Sequence, residues 1–322
     1  MGFNKLITSE RTCLMGCAMI AIILFHQPFF SHNPVVDFFH LYGFWGVEVF
    51  LLLSGFGIVR SLQRNSLRQY YLNRARRLLP ACLFVGVIKL LLTHSGLDGS
   101  WTRNPFLLVT GLDLWFIYAI VVYYALAPLI YACLKRHGLA TLLTICVLTI
   151  AGTHMHLDNS PYYLVNHLSW LNGRLPVFVF GMYLALYPLK YRLRSIFATG
   201  MVFLVLCMAC CLMWKMGQQW RLSFYHLMLL PATLAMCLLG HGLIWLAEKI
   251  RCTGVLTFFG KYSLELYLWH EFIFTIFCRK TMFGDMGTPL RFLIAVALSL
   301  VAAYLTSLAV SRLMNLRKSR AQ

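Results

Sequence analysis

Four places stand out where an ionisable side chain falls inside an apolar stretch: His26, Glu48, Arg174 and the adjacent pair His270-Glu271. In hydrocarbon each such group costs at least about 2.5–3.5 kcal/mol on insertion scales, so each needs a partner, a cavity or a task. His26 and Glu48 lie eleven residues to either side of Asp37, which predicts a helical hairpin that brings them to similar depth. A carboxylate facing an imidazole holds the ring in one tautomer and makes it more basic, which suits removal of a proton from an alcohol nucleophile. The same pair also reads as interhelical glue, because histidine hydrogen bonds between helices are ordinary in membranes. A second in-membrane histidine, His270, tilts the balance towards chemistry. His32, His40, His154 and His156 read as solvated loop residues.

A second signal is basic. Residues 60–77 read RSLQRNSLRQYYLNRARR and end in Arg74, Arg76 and Arg77 just before Pro80. Topology and attraction to lipid headgroups account for much of such a stretch. Guanidinium groups also clamp phosphates with paired hydrogen bonds, so a cluster at the mouth of a helix bundle suits a phosphorylated ligand arriving from the cytoplasm. The eleven cysteines lie mostly inside apolar stretches, Cys207, Cys210 and Cys211 on one of them. Polarizable side chains pack well there, and no metal site is expected.

The elements that must position these groups follow from composition. Of the 322 residues 60% are hydrophobic and 12% charged, more apolar surface than one soluble core hides. Backbone groups in lipid must be satisfied within their own segment, which selects an all-α integral membrane protein. About ten spans are expected, near Thr12 to Phe30, Gly43 to Val59, Pro80 to Leu92, Leu114 to Cys133, Leu139 to Gly152, Trp170 to Leu186, Ile196 to Trp214, Phe224 to Leu246, Leu256 to Cys278 and Leu290 to Val310. The stretch from Phe106 to Asp113 reads as tilted or re-entrant. A formal charge of +18 would suggest nucleic acid in a soluble protein. Here about nineteen Lys and Arg fall on one side of the spans and about six on the other, with Lys89, Arg174 and Lys261 within or at the edge of spans, so the excess orients the bundle with both termini cytoplasmic. The expectation is therefore a lipid partner and no nucleic acid. The first apolar run leads into Gln27-Pro28-Phe29-Phe30 rather than a small-residue cleavage site, so the first helix is expected to stay. One domain over 1–322 is expected, with no repeat and no appended soluble domain.

In this order and spacing the motifs resemble the acyltransferase 3 family of bacterial membrane acyltransferases, over nearly the whole chain. The first span ends MIAIILFH, and GVEVFLLLSGFGI is similar to the family's Gly-Val-acid-x-Phe-Phe and Ser-Gly-Phe pattern. The basic stretch closes RARRLLP, and LDLWFIYAIVVYYALAP is similar to the family's Trp-Phe span ending in proline. NGRLPVFVFGMYLAL resembles its Arg-to-Phe-Phe-x-Gly segment, and FFGKYSLELYLWHEFIF its late span with Ser, Tyr-Leu and His. The resemblance implies transfer of an acyl group, usually acetyl, from acyl-CoA at the cytoplasmic face of the bacterial cytoplasmic membrane to a hydroxyl of a surface carbohydrate or glycolipid. It places His26 at the essential first-span histidine and Glu48 at the acidic position before Ser54, Gly55 and Phe56. Arg74 and Arg77 match an Arg-x-x-Arg pair near the donor entrance, with Arg76 between them, and Arg174 and His270 match further family positions. One departure is Met15, where the family has an arginine eleven positions before the histidine. Arg11 is one turn earlier and roughly 60° around the helix from His26, within reach of the same cavity for a long side chain.

The mechanism this implies has acyl-CoA, acetyl-CoA or another, held by its phosphates at the basic face while its thioester enters the bundle. His26, oriented by Glu48, takes the proton of the attacking hydroxyl, and Arg174 or Ser54 offsets the oxyanion. A covalent acyl-histidine is an open variant. A transporter or flippase for a lipid-linked glycan is the alternative from another class, since mid-membrane polar residues and basic inner loops serve it equally well. The sequence has no internal repeat to support it. A glycan polymerase or ligase would need large outer loops, and those here are short.

Overall fold

The computed structural model describes residues 3–28, 33, 37, 40, 43–97, 104–153, 163–188, 218–279 and 288–319. The stretch expected to span near 196–214, with Cys207, Cys210 and Cys211, lies outside the described residues, as do His32, His154 and His156. The described elements are α1 (Phe3–Phe25), α2 (Trp45–Arg64), α3 (Leu67–His94), the short α4 (Pro105–Thr110), α5 (Trp115–His137), α6 (Leu139–Thr153) and α7 (Tyr163–Leu186). They continue with α8 (Gln218–Lys249), α9 (Thr253–Lys261), α10 (Ser263–Phe274), a π-helical turn (Thr275–Arg279) and α11 (Thr288–Ser319). Among the described residues there is no strand. Five helices are long and apolar enough to cross a membrane: Asn4–Phe25, Trp45–Arg64, Trp115–His137, Leu229–Lys249 and Thr288–Asn315. Leu139–Gly152 and Leu171–Leu186 are shorter apolar helices.

Two expectations change. The basic stretch read as an inner loop is helical almost throughout, running to Arg64 in α2 and resuming at Leu67 in α3. Ser66 caps α3 by accepting from the Gln69 amide at 3.3 Å, and Pro80, expected near the start of a span, lies inside a helix of 28 residues. The ninth stretch, read as one span, is two helices that meet at Tyr262. At Gly260 a Cβ would lie 1.8 Å from the Thr12 carbonyl oxygen, so α9 lies backbone to backbone on α1 and the chain turns to begin α10.

At the centre α2 crosses α7, and the contact is between backbones. A Cβ at Gly55 would lie 2.0 Å from the Phe178 carbonyl oxygen, and one at Gly181 2.1 Å from that of Leu52. Small residues at such crossings let membrane helices approach closely enough for dispersion to hold them. Leu51, Leu52, Val177 and Phe178 are fully buried around it, whereas Leu91, Leu129 and Leu293 are more than 60% exposed on outer faces. Large apolar side chains on the outside are what a lipid solvent permits.

Candidate active site

Arg11, Ser54, Arg74 and Arg77 converge on one cavity of about 60 Å³. Arg11 comes from the first half of α1, Ser54 from the middle of α2, and Arg74 and Arg77 from one face of α3. Met15 also lines the cavity, so the side chain standing at the family's arginine position and the arginine one turn earlier share the same space. Arg11 reaches it past Gly57, where a Cβ would lie 2.4 Å from the Arg11 Nη1 atom. Arg74 donates to Ser61 Oγ at 3.5 Å and lies over the rings of Tyr70 and Tyr124, at 5.9 and 5.6 Å. Arg77 is exposed at the mouth. Arg76 is exposed and is not among the residues lining the cavity. Three guanidiniums facing one space repel one another, an arrangement a polyanionic ligand relieves.

The inner wall of the cavity is Phe50, Phe116, Ile120 and Tyr267. Tyr267 packs on Phe116 at 4.9 Å and on His270 at 5.2 Å, and the His270 ring meets that of His26 edge to face at 4.9 Å. His26 follows the last residue of α1, and its Nδ1 lies 2.8 Å from the Ile22 carbonyl oxygen. A carbonyl only accepts, so Nδ1 carries a proton and Nε2 is the nitrogen left to face a substrate. His270 is fixed in the same way, Nδ1 donating to the Tyr267 carbonyl at 2.8 Å. Its Nε2 is buried and has no hydrogen-bond partner among the described residues. His26 is half-buried and His270 fully so, which leaves His26 the one of the pair a substrate can touch.

Glu48 is not the partner of His26. The two helices do meet as a hairpin, with the Phe25 and Phe44 rings 5.7 Å apart. Yet Glu48 faces α7, where its Oε1 lies 2.7 Å from Arg174 Nε with both side chains buried. The Arg174 guanidinium lies 4.6 Å from the Trp115 ring centroid. Sequence spacing set the depth of Glu48 but not its rotation about the axis of α2, and the arginine on the closely crossing α7 takes the carboxylate.

A second buried ion pair joins two residues that sequence spacing alone does not connect. Lys89 Nζ lies 3.4 Å from Asp113 Oδ2, at 2% and 4% side-chain exposure. The available signal was a lysine in the third apolar stretch and an aspartate ending the re-entrant one. Tyr124, which faces Arg74, was missed because an aromatic in an apolar helix carries no mark of its own. Among the described residues, no three His, Cys, Asp or Glu side chains are grouped so that they could hold a metal ion.

A family model described as an acyltransferase domain matches residues 13–308 of the 322-residue chain. No curated protein and no solved structure matches the chain.

Proposed function

The chain belongs to the acyltransferase 3 family, and from that premise we propose that this acyltransferase moves an acetyl group from acetyl-CoA to a hydroxyl of a cell-surface carbohydrate or glycolipid. On this reading it is one domain of about ten spans in the bacterial cytoplasmic membrane, with both termini inside. The observation that carries the reading is the convergence of Arg11, Arg74 and Arg77 on a cavity whose inner wall, through Phe116 and Tyr267, continues to the histidine pair.

The CoA phosphates bind the guanidiniums, and the acyl arm enters past Ser54. Along α1 the fifteen residues from Arg11 to His26 span roughly 22 Å, so the phosphates and the reacting thioester are held at different depths. The acceptor oxygen attacks the thioester carbonyl while its proton passes to His26 Nε2. The C–S bond then breaks, and the CoA thiolate takes that proton, which leaves the ester, free CoA and neutral His26. Ser54, which lines the cavity with the guanidiniums, contacts the donor arm on its way to His26. Arg174, bound to Glu48, acts through the position of Trp115 and α7.

The test is mass analysis of surface glycans from cells with the gene, without it, and with His26→Ala. Loss of one acetyl increment in both the deletion and the variant is expected, with the variant protein present at normal level and normal melting temperature. An acetylated glycan in the His26→Ala cells removes the base assignment. Glycans that do not differ between wild type and deletion remove the reaction.

A further inference from the structure

We propose that the buried Lys89–Asp113 ion pair is a positioning device for the acyl-transfer centre, one that pins the corner before α5 so that Phe116 and Tyr267 hold the histidine pair in register with the anion cavity. The inference rests on the reaction proposed above. An ion pair sunk in a bilayer is a costly way to join helices, since each ion gives up hydration that apolar side chains never had. What it adds over apolar contact is a single fixed separation between two atoms.

The three elements it fixes are those on which the centre depends. Lys89 lies on α3, twelve residues and roughly 18 Å along the helix from Arg77. Asp113 lies just beyond α4, whose first turn is capped by the Asn104 side chain, and the Asp113 amide donates back to the Leu107 carbonyl at 3.3 Å. α4 rests directly on α3, for a Cβ at Gly86 would lie 2.3 Å from the Leu108 carbonyl oxygen. The Lys89 ammonium also lies 5.8 Å from the ring of Phe272, two residues beyond His270 on α10.

Two and three residues after Asp113 come Trp115, under the Arg174 guanidinium, and Phe116, against Tyr267. Neither Lys89 nor Asp113 is among the residues lining the anion cavity. A change at the pair therefore reaches the reaction through Phe116, Tyr267 and His270, and removes no contact of Arg11, Arg74 or Arg77. Displacing reacting groups by an ångström or so costs rate far more than it costs binding.

The experiment uses the full-length protein in native membrane vesicles, with labelled acetyl-CoA as donor and label recovered in glycan as readout. Lys89→Met and Asp113→Asn are each expected to lower kcat by roughly tenfold to a hundredfold while KM for acetyl-CoA stays within about twofold. The exchanged pair, Lys89→Asp with Asp113→Lys, restores opposite charges across the same gap and is expected to recover most of the lost kcat. Single variants with unchanged kcat overturn the proposal, as does an exchanged pair that folds and stays as slow as the singles. Failure of all three proteins to fold assigns the pair to the scaffold alone and overturns it too. If the wild type itself transfers no label from acetyl-CoA, the parent reaction fails instead, an outcome separate from active wild type with indifferent variants.

Discussion

Gly57 leaves the space through which Arg11 reaches the anion cavity. The atom a Cβ would strike is the far Nη1 of a flexible side chain, at 2.4 Å, so Gly57→Ala moves the guanidinium and spares the helices. The expected result is a KM for acetyl-CoA raised by roughly threefold to tenfold, with kcat and melting temperature close to wild type. A variant with unaltered KM would mean that Arg11 does not touch the donor. At this scale helix geometry alone carried part of the reading: Arg11, one turn before Met15, reaches the cavity that Met15 lines, but His26, expected to share it, is not among the lining residues. The sequence was uninformative where rotation about the axis decides. Counting residues from Asp37 put His26 and Glu48 at one depth, but Glu48 turns to Arg174, while His26 is oriented by a carbonyl of its own helix and by His270.

Between elements, the crossing of α2 and α7 combines close backbones with a buried ion pair, and the two features respond differently to substitution. Gly55→Ala sets a methyl 2.0 Å from a carbonyl oxygen of α7, where no rotamer change gives relief, so the helices must part at a cost of about 1–3 kcal/mol or more. Glu48→Leu takes the carboxylate away from the buried Arg174 guanidinium, at about 3–5 kcal/mol. Adding Arg174→Met to it removes that buried charge as well and is expected to return most of the loss in melting temperature. A double variant no more stable than Glu48→Leu would show that the pair does more than clamp two helices.

Element boundaries also show what hydropathy misses. Residues 67–79 looked like a loop because their arginines interrupt the apolar pattern, yet Arg, Gln, Leu and Tyr are acceptable helix formers, and Pro80 sits within the helix that they begin. The break at Tyr262 was invisible because the apolar run is continuous through it, and it falls two residues after Gly260, where the helix lies against α1, a partner distant in sequence.

Across the whole molecule, the class of protein was legible from composition, because helices in lipid need little beyond apolar length and internal hydrogen bonds. The partition of charge carries a further consequence. The buried cations Lys89 and Arg174 are each paired with a carboxylate, by Asp113 and Glu48, whereas Arg11, Arg74 and Arg77 share one cavity and Arg60 lies within electrostatic reach of Arg11. Positive field is therefore concentrated at the mouth formed by α1 and α3, where Arg77 is exposed to water and salt and where the proposed polyanionic donor would meet it. Screening length falls from above 10 Å to near 4 Å as salt rises from about 50 to 500 mM, so interactions at the mouth weaken while those between buried pairs hardly change. The expected outcome in sealed vesicles is a KM for acetyl-CoA that climbs with salt, a kcat that stays nearly level, and a shallower climb in Arg77→Gln than in wild type. A kcat that falls with salt while KM holds would place the salt-sensitive charges at the reacting atoms, and the division between a screened entrance and a shielded reaction centre would not stand.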